Sequence, residues 1–171
     1  MEIKLLKSLF TYPRLFRPAV LGPCLMLVFL CLGCKEQWAV KRVIDGDTVV
    51  VGRCGALQKV RLKGVDAPEI PHPDHGQFKN DPFGYESREC LREILDGRPV
   101  RLRSALASGA PEHDDYGRLL AYIYDGDTLV NAELIRRGCA RAFLKYPHPH
   151  REEFIELEAR ARTQGLGLWA R

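Results

Sequence analysis

Residues Trp38 to Asp66, WAVKRVIDGDTVVVGRCGALQKVRLKGVD, carry the pattern from which the architecture can be read. β-Branched residues dominate Trp38 to Val51 and predict a strand that bends or bulges at Asp45-Gly46-Asp47 and then continues. Gly52 to Gly55 turn the chain. Val60, Leu62 and Gly64 then alternate with Arg61 and Lys63, so a second strand carries its cations on one face and ends near Val65-Asp66. Downstream, Phe83 to Leu95 reads as an amphipathic helix with Ser87, Cys90, Leu91, Ile94 and Leu95 on its apolar stripe. Arg98 to Arg103 alternates as a strand. Arg118 to Tyr124 and Asp127 to Val130 form a hairpin through Asp125-Gly126. Asn131 to Arg137 is a short helix stopped by Gly138, and His150 to Gln164 is a last helix closed at Gly165. Leu166, Leu168 and Trp169 fold back after it as a hydrophobic plug. Strands this short exclude a doubly wound α/β sheet and predict an α+β body, a five-stranded barrel with about three packed helices.

The 171 residues allow one domain of ordinary size. With 46% apolar and 28% charged residues, the composition excludes collagen, low-complexity disorder and a polytopic membrane protein. Of the formal charge of +4, Lys4, Lys7, Arg14 and Arg17 against Glu2 supply +3, so bulk charge argues little for an anionic partner. Ala19 to Gly33 run for 15 residues without a charge behind that basic start. A membrane span needs about 20 residues, whereas this length suits an export signal. Cys31-Leu32-Gly33-Cys34 resembles the bacterial lipoprotein signal, which predicts lipidation at Cys34 and division into a leader, 1–34, and a body, 35–171. Ordinary cleavage, with secretion, and an uncleaved anchor are the alternatives. The expected location is outside the cytoplasm, on the bacterial cell envelope or secreted, with a membrane contact made through the N-terminal lipid or anchor.

Cys54, Cys90 and Cys139 of the body supply at most one disulfide and leave one thiol free, and spacing does not pair them. The favoured reading makes Cys90 and Cys139 small buried apolar residues. Ile70 to Pro82 is a surface loop. His72-Pro73-Asp74-His75 and His148-Pro149-His150 invite a zinc reading, but their prolines forbid a helix that would aim the rings together.

Asp45, Asp47, Asp66 and Glu69 gather at the ends of the first two strands. Carboxylates without His or Cys suit a hard cation such as Ca²⁺, which takes six to eight oxygen ligands. Alone, each Asp reads as a turn cap and each Arg as half of a surface ion pair. Together, Arg61 and Arg118 offer two planar guanidinium groups for phosphate oxygens beside the acidic cluster.

Ile44-Asp45-Gly46-Asp47-Thr48, the run Arg61 to Glu69 (RLKGVDAPE), Asp114-Asp115-Tyr116-Gly117-Arg118 with Leu120-Ala121-Tyr122, and Val130-Asn131 through Gly138 resemble the staphylococcal nuclease family, in its block order and intervals. The likeness spans residues 38 to 169, and four blocks together are specific where Asp-Gly-Asp-Thr alone is weak. It implies an OB-fold barrel and a calcium-dependent phosphodiesterase that acts on DNA and RNA, single-stranded or frayed, as a monomer, leaving 3′-phosphates. By the same resemblance, Asp47 and Asp66 are metal-binding carboxylates and Ala67 contributes its backbone carbonyl. Glu69 orients or deprotonates the attacking water, Arg61 and Arg118 grip the scissile phosphate, and Tyr116 and Tyr146 contact the nucleotide. Asp115 stands where the family's type member has a lysine, and Leu144 where it has a tyrosine; both changes bear on nucleotide affinity and end preference. A catalytically silent nucleic-acid-binding OB module is the alternative, disfavoured because the whole set of Asp47, Asp66, Glu69, Arg61 and Arg118 is present. A calcium-stabilised envelope lipoprotein that binds protein or glycan has no use for the arginines.

Overall fold

The computed structural model describes residues 37–170 except 72–77, 96 and 107. The leader, the lipidation at Cys34, and His72 and His75 therefore lie outside the described residues. Strand β1 (Gln37–Val43) and β2 (Thr48–Arg53) are antiparallel, and β3 (Ala56–Leu62) returns beside β2. The first strand thus does not continue through Asp45-Gly46-Asp47. The chain reverses there, with the Ile44 N–H donating to the Thr48 carbonyl at 2.8 Å, because an Asp-Gly pair closes a tight turn more readily than it bends a strand. A bulge does occur, between Val40 and Arg42. Cys54 and Gly55 both take positive φ, 49° and 83°, as a two-residue hairpin turn requires.

After β4 (Val65–Asp66) come α1 (Gly84–Leu95), β5 (Pro99–Ser104), β6 (Glu112–His113), β7 (Leu119–Asp125), β8 (Thr128–Leu129), α2 (Val130–Arg136), β9 (Arg141–Ala142) and α3 (Arg151–Thr163). Val130, expected to end a strand, instead opens α2. Strands β1, β2, β3, β7 and β5 pair in a closed circuit. Closure comes from the parallel pairing of β3 with β7, in which Val60, Arg61 and Leu62 lie opposite Leu119, Leu120 and Ala121. This is the expected five-stranded barrel with three helices packed on it. Alternation sends Val49, Val51, Val60, Leu62, Val100 and Ile123 inward, where all are buried. Leu91 and Leu95 of α1, Leu134 and Ile135 of α2, and Phe154 of α3 join the same core. Buried Asn131 is satisfied on both sides of its amide: it accepts from the Ile123 N–H at 3.0 Å and donates to the Lys63 carbonyl at 2.9 Å, tying α2 to β7 and to the end of β3.

Cys90 and Cys139 are not isolated apolar fillers. They form a disulfide joining α1 to the segment after α2, and Ser87, one turn before Cys90, donates to the Cys139 carbonyl at 2.6 Å. Cys54 is disulfide-bonded as well, so none of the three is a free thiol. Which sulfurs meet is set by how α1 packs on the end of α2, information that the spacing along the chain does not contain. The terminal fold-back is present as a single 3₁₀ turn, Gly167–Trp169, half-buried, with the Arg162 guanidinium 3.8 Å over the Trp169 ring.

Candidate active site

The Asp45-Gly46-Asp47 turn is held from three sides. The Asp47 N–H donates to Asp45 Oδ1 at 3.0 Å, the Thr48 hydroxyl donates to Asp47 Oδ1 at 3.0 Å, and the Ala67 N–H donates to Asp47 Oδ2 at 2.8 Å. Asp45 and Asp47 are both buried. A Cβ on Gly46 would meet the Ala67 Cβ at 2.6 Å and the Ser87 Cβ at 2.9 Å, so this turn rests against α1 and the strand-end loop with no room for a side chain.

Arg61 leaves the outer face of β3 and lies between two carboxylates. Its guanidinium pairs with Asp47, and Nη2 stands 3.7 Å from Asp66 Oδ1. Burial pushes its pKa down, and the charge of Arg118 pushes the same way, against Asp45, Asp66 and Glu69. Six charged groups, Asp45, Asp47, Arg61, Asp66, Glu69 and Arg118, from three segments thus meet around Arg61. Glu69 is half-buried, and its backbone is clipped to the far end of the following loop: its N–H donates to Asp81 Oδ2 at 3.2 Å, and its carbonyl accepts from the Asp81 N–H at 2.9 Å.

Arg118 is oriented by a residue to which sequence reasoning assigned no role. Asp114 Oδ2 accepts from Arg118 Nε at 2.6 Å, and Oδ1 accepts from the backbone N–H groups of Tyr116 and Arg118 at 3.0 and 2.9 Å. Burial raises the Asp114 pKa, but the Arg118 backbone and side-chain hydrogen bonds outweigh it and hold the group below its ordinary value. An Asp placed before a glycine turn and four residues ahead of an Arg is the signal that could have revealed it. With Nε engaged, Nη1 extends towards the Thr48 hydroxyl, 3.5 Å away, and hence towards the Asp47 turn.

Arg61 and Arg118 line one groove of about 210 Å³ together with Lys63, Leu120, Phe143, Tyr146 and Tyr116. Tyr116 is 85% exposed, with the Arg118 guanidinium 5.4 Å from its ring centroid. Tyr146 is also exposed, and Lys145 stands over its ring. Both expected nucleotide-contacting tyrosines therefore border the groove, as does Asp115. Lys63 is neutralised by Glu112 at 2.6 Å. The histidines of His148-Pro149-His150 have structural partners: His148 Nδ1 is 3.1 Å from the Tyr122 hydroxyl, and His150 Nδ1 is 2.8 Å from Glu153 Oε2.

Among the described residues, no three His, Cys, Asp or Glu side chains gather as a metal cage. The donors available are the carboxylates of Asp47 and Asp66, which share Arg61 as a cationic neighbour. That set is oxygen only, which fits Ca²⁺ completed by water and does not fit zinc. Placing a cation between the two carboxylates is also the chemistry that Arg61 already performs there.

A family model described as staphylococcal nuclease homologue matches residues 59–171. The chain belongs to the staphylococcal nuclease family. It is 35% identical over 137 residues to the thermonuclease of Staphylococcus intermedius, covering 80% of this chain and 77% of that protein. Identity to the thermonuclease of Staphylococcus hyicus is also 35%, over 138 residues, with 80% and 77% covered. An uncharacterized endonuclease of Haemophilus influenzae is 30% identical over 156 residues, covering 88% of this chain and 78% of its own length. The closed five-stranded barrel with three packed helices agrees with this membership, and the protein is a nuclease of that family.

Proposed function

We propose that this nuclease is a calcium-dependent phosphodiesterase that hydrolyses DNA and RNA and leaves 3′-phosphates. The observation that carries the reading is the meeting of Arg61 and Arg118 on one groove, beside the Asp47 and Asp66 carboxylates. In this reading, Asp47 and Asp66 with the Ala67 carbonyl hold Ca²⁺, which when bound supplies Lewis-acid polarisation of a phosphoryl oxygen. Glu69 orients a water molecule or takes its proton. That water attacks phosphorus in line with the 5′-oxygen, which departs as the 5′-hydroxyl after taking up a proton, and the phosphate stays on the 3′ side. Arg61 and Arg118 stabilise the charge that grows on the non-bridging oxygens, with Asp114 fixing the rotamer of Arg118. Tyr116, Phe143 and Tyr146 offer ring faces to unstacked bases, which supports single-stranded or frayed substrates.

The protein acts as a monomer outside the cytoplasm, either held at the bacterial envelope by a lipid on Cys34 or an N-terminal anchor, or secreted. The basic, then uncharged leader supports export, and so does the Cys90–Cys139 bond, since disulfides persist in oxidising compartments. The test is incubation of the full chain with single-stranded DNA and RNA, with calcium or with chelator, beside Arg118→Ala and Glu69→Ala. Expected are cleavage with calcium only, 3′-phosphate ends, and loss of at least about a hundredfold in each variant. Calcium-independent cleavage that survived both substitutions would refute the reading.

A further inference from the structure

Many cations among the described residues have an acidic partner. Arg92 pairs with Glu89, Arg98 with Asp125, Arg136 and Arg137 with Glu133, Arg160 with Glu156 and Arg162 with Glu158. The β1–β3 meander is different. From Gln37 to Lys63 its only carboxylates are Asp45 and Asp47, both buried in the turn, while Lys41, Arg42 and Lys59 carry no ion pair among the described residues. Pair register puts these three on one surface. Arg42 lies opposite Val50 and Val50 opposite Lys59, so the two cations flank a small apolar side chain across three strands. Lys41 is drawn over the same face, since a Cβ on Gly52 would meet its Cε at 2.9 Å. Lys59 and Arg61 are two residues apart on β3 with inward-facing Val60 between them, so they point the same way with a rise of about 6.7 Å. This row of positive charge therefore begins at the catalytic arginine and climbs away from it along the outer wall of the barrel.

We propose that the outer face of β1–β3, carrying Lys59, Arg42 and Lys41, binds the sugar-phosphate backbone of a nucleic-acid strand that continues beyond the scissile phosphate. The inference rests on the proposed nuclease site and adds its substrate class: extended polynucleotides over short fragments. Three observations support this partner. The face carries no exposed carboxylate of its own between Gln37 and Lys63. The face is small and apolar between its cations, with Val50 and Gly52 as its floor, so a backbone can approach closely. It is continuous with Arg61, which a membrane-facing patch has no need to be. Backbone contacts of this kind release counterions and give affinity a steep salt dependence without sequence preference.

The test compares the full wild-type chain with the triple variant Lys41→Gln, Arg42→Gln, Lys59→Gln. Binding of a 30-nucleotide single-stranded DNA is measured in chelator, where no cleavage occurs, across a salt series. Cleavage of a trinucleotide and of the same 30-mer is measured with calcium. The expected result is binding of the 30-mer weakened at least about tenfold at low salt, with the slope of log K against log salt reduced by about 2, at about 0.7 for each of three single-strand phosphate contacts. KM for the 30-mer should rise, and trinucleotide kinetics should stay unchanged. Unchanged 30-mer affinity and salt slope would overturn the proposal, as would an equal loss on both lengths. Vesicles of phosphatidylcholine with and without phosphatidylserine form a parallel arm. Loss of binding to the anionic vesicles alone, with 30-mer affinity intact, would assign the face to a membrane and also overturn it. A wild-type chain that bound the 30-mer but cut neither substrate would instead count against the nuclease site itself.

Discussion

Gly46→Ala is the most demanding perturbation that the active-site turn offers. The added methyl would collide with the Ser87 hydroxyl and lie 2.6 Å from the Ala67 Cβ and 2.9 Å from the Ser87 Cβ. Neither neighbour yields freely. Ala67 donates its N–H to Asp47, and the Ser87 hydroxyl holds the Cys139 carbonyl beside the disulfide. Overpacking of a tight site costs about 1–3 kcal/mol. Displacing Ser87 would leave a buried carbonyl unsatisfied, which costs about 1–3 kcal/mol more. A total of about 3 kcal/mol corresponds to a drop of roughly 10 °C in Tm for a domain of this size. Nuclease activity should fall at least tenfold, because Asp47 moves with the turn. Thermal unfolding by circular dichroism and initial rates on single-stranded DNA measure the two effects. In a Ser87→Gly background most of the collision disappears, so Gly46→Ala should cost at least about 1 kcal/mol less there than in wild type. Strict additivity of the two substitutions, or a Tm unchanged by Gly46→Ala alone, would refute the claim that α1 buttresses the turn.

Arg61→Lys should abolish most cleavage, by about a hundredfold or more, since an ammonium is a single point charge where the guanidinium fork spans Asp47 and Asp66; rates under saturating substrate check this. Asp114→Asn removes the carboxylate that orients Arg118 and should lower kcat about tenfold with little change in fold, read by kinetics beside circular dichroism. The folded pKa of Asp114 lies below its unfolded value, so its contribution to stability is present at neutral pH and is lost as pH falls from about 3.8 through the folded value; in Asp114→Asn that part of the acid sensitivity should be missing from a pH series of unfolding midpoints. Replacing Cys90 and Cys139 by Ser opens a loop with a sequence separation of 49 and should cost about 2–4 kcal/mol in denaturant titrations while leaving cleavage in place at room temperature.

Legibility in the sequence followed the range of the interactions. Helices α1 and α3 were readable because an apolar repeat and a glycine stop are local features, and the β7–β8 hairpin because Asp125-Gly126 specifies its own turn. The same local logic misread Asp45-Gly46-Asp47: β-branched residues on both sides raise strand propensity equally for a bulge and for a reversal, and the antiparallel pairing of β1 with β2 across the turn is what shows the reversal. Arg61 and Arg118 were picked out by their motif blocks. Their shared groove follows from the β3–β7 pairing, which joins residues nearly 60 positions apart. Asp114 and Asp81, which position Arg118 and Glu69 through hydrogen bonds, resembled ordinary turn residues until their partners were located. The disulfide lay beyond sequence reasoning for the same reason, since the packing of α1 on the end of α2 brings its two sulfurs together.

Barrel closure has one more consequence. Because the two guanidinium groups meet only when β3 and β7 zip together, a nascent or threaded chain holds all the parts of the nuclease and none of its power. Until that last seam of the barrel closes, the phosphate-gripping pair stays divided between two strands, and folding itself arms the chain.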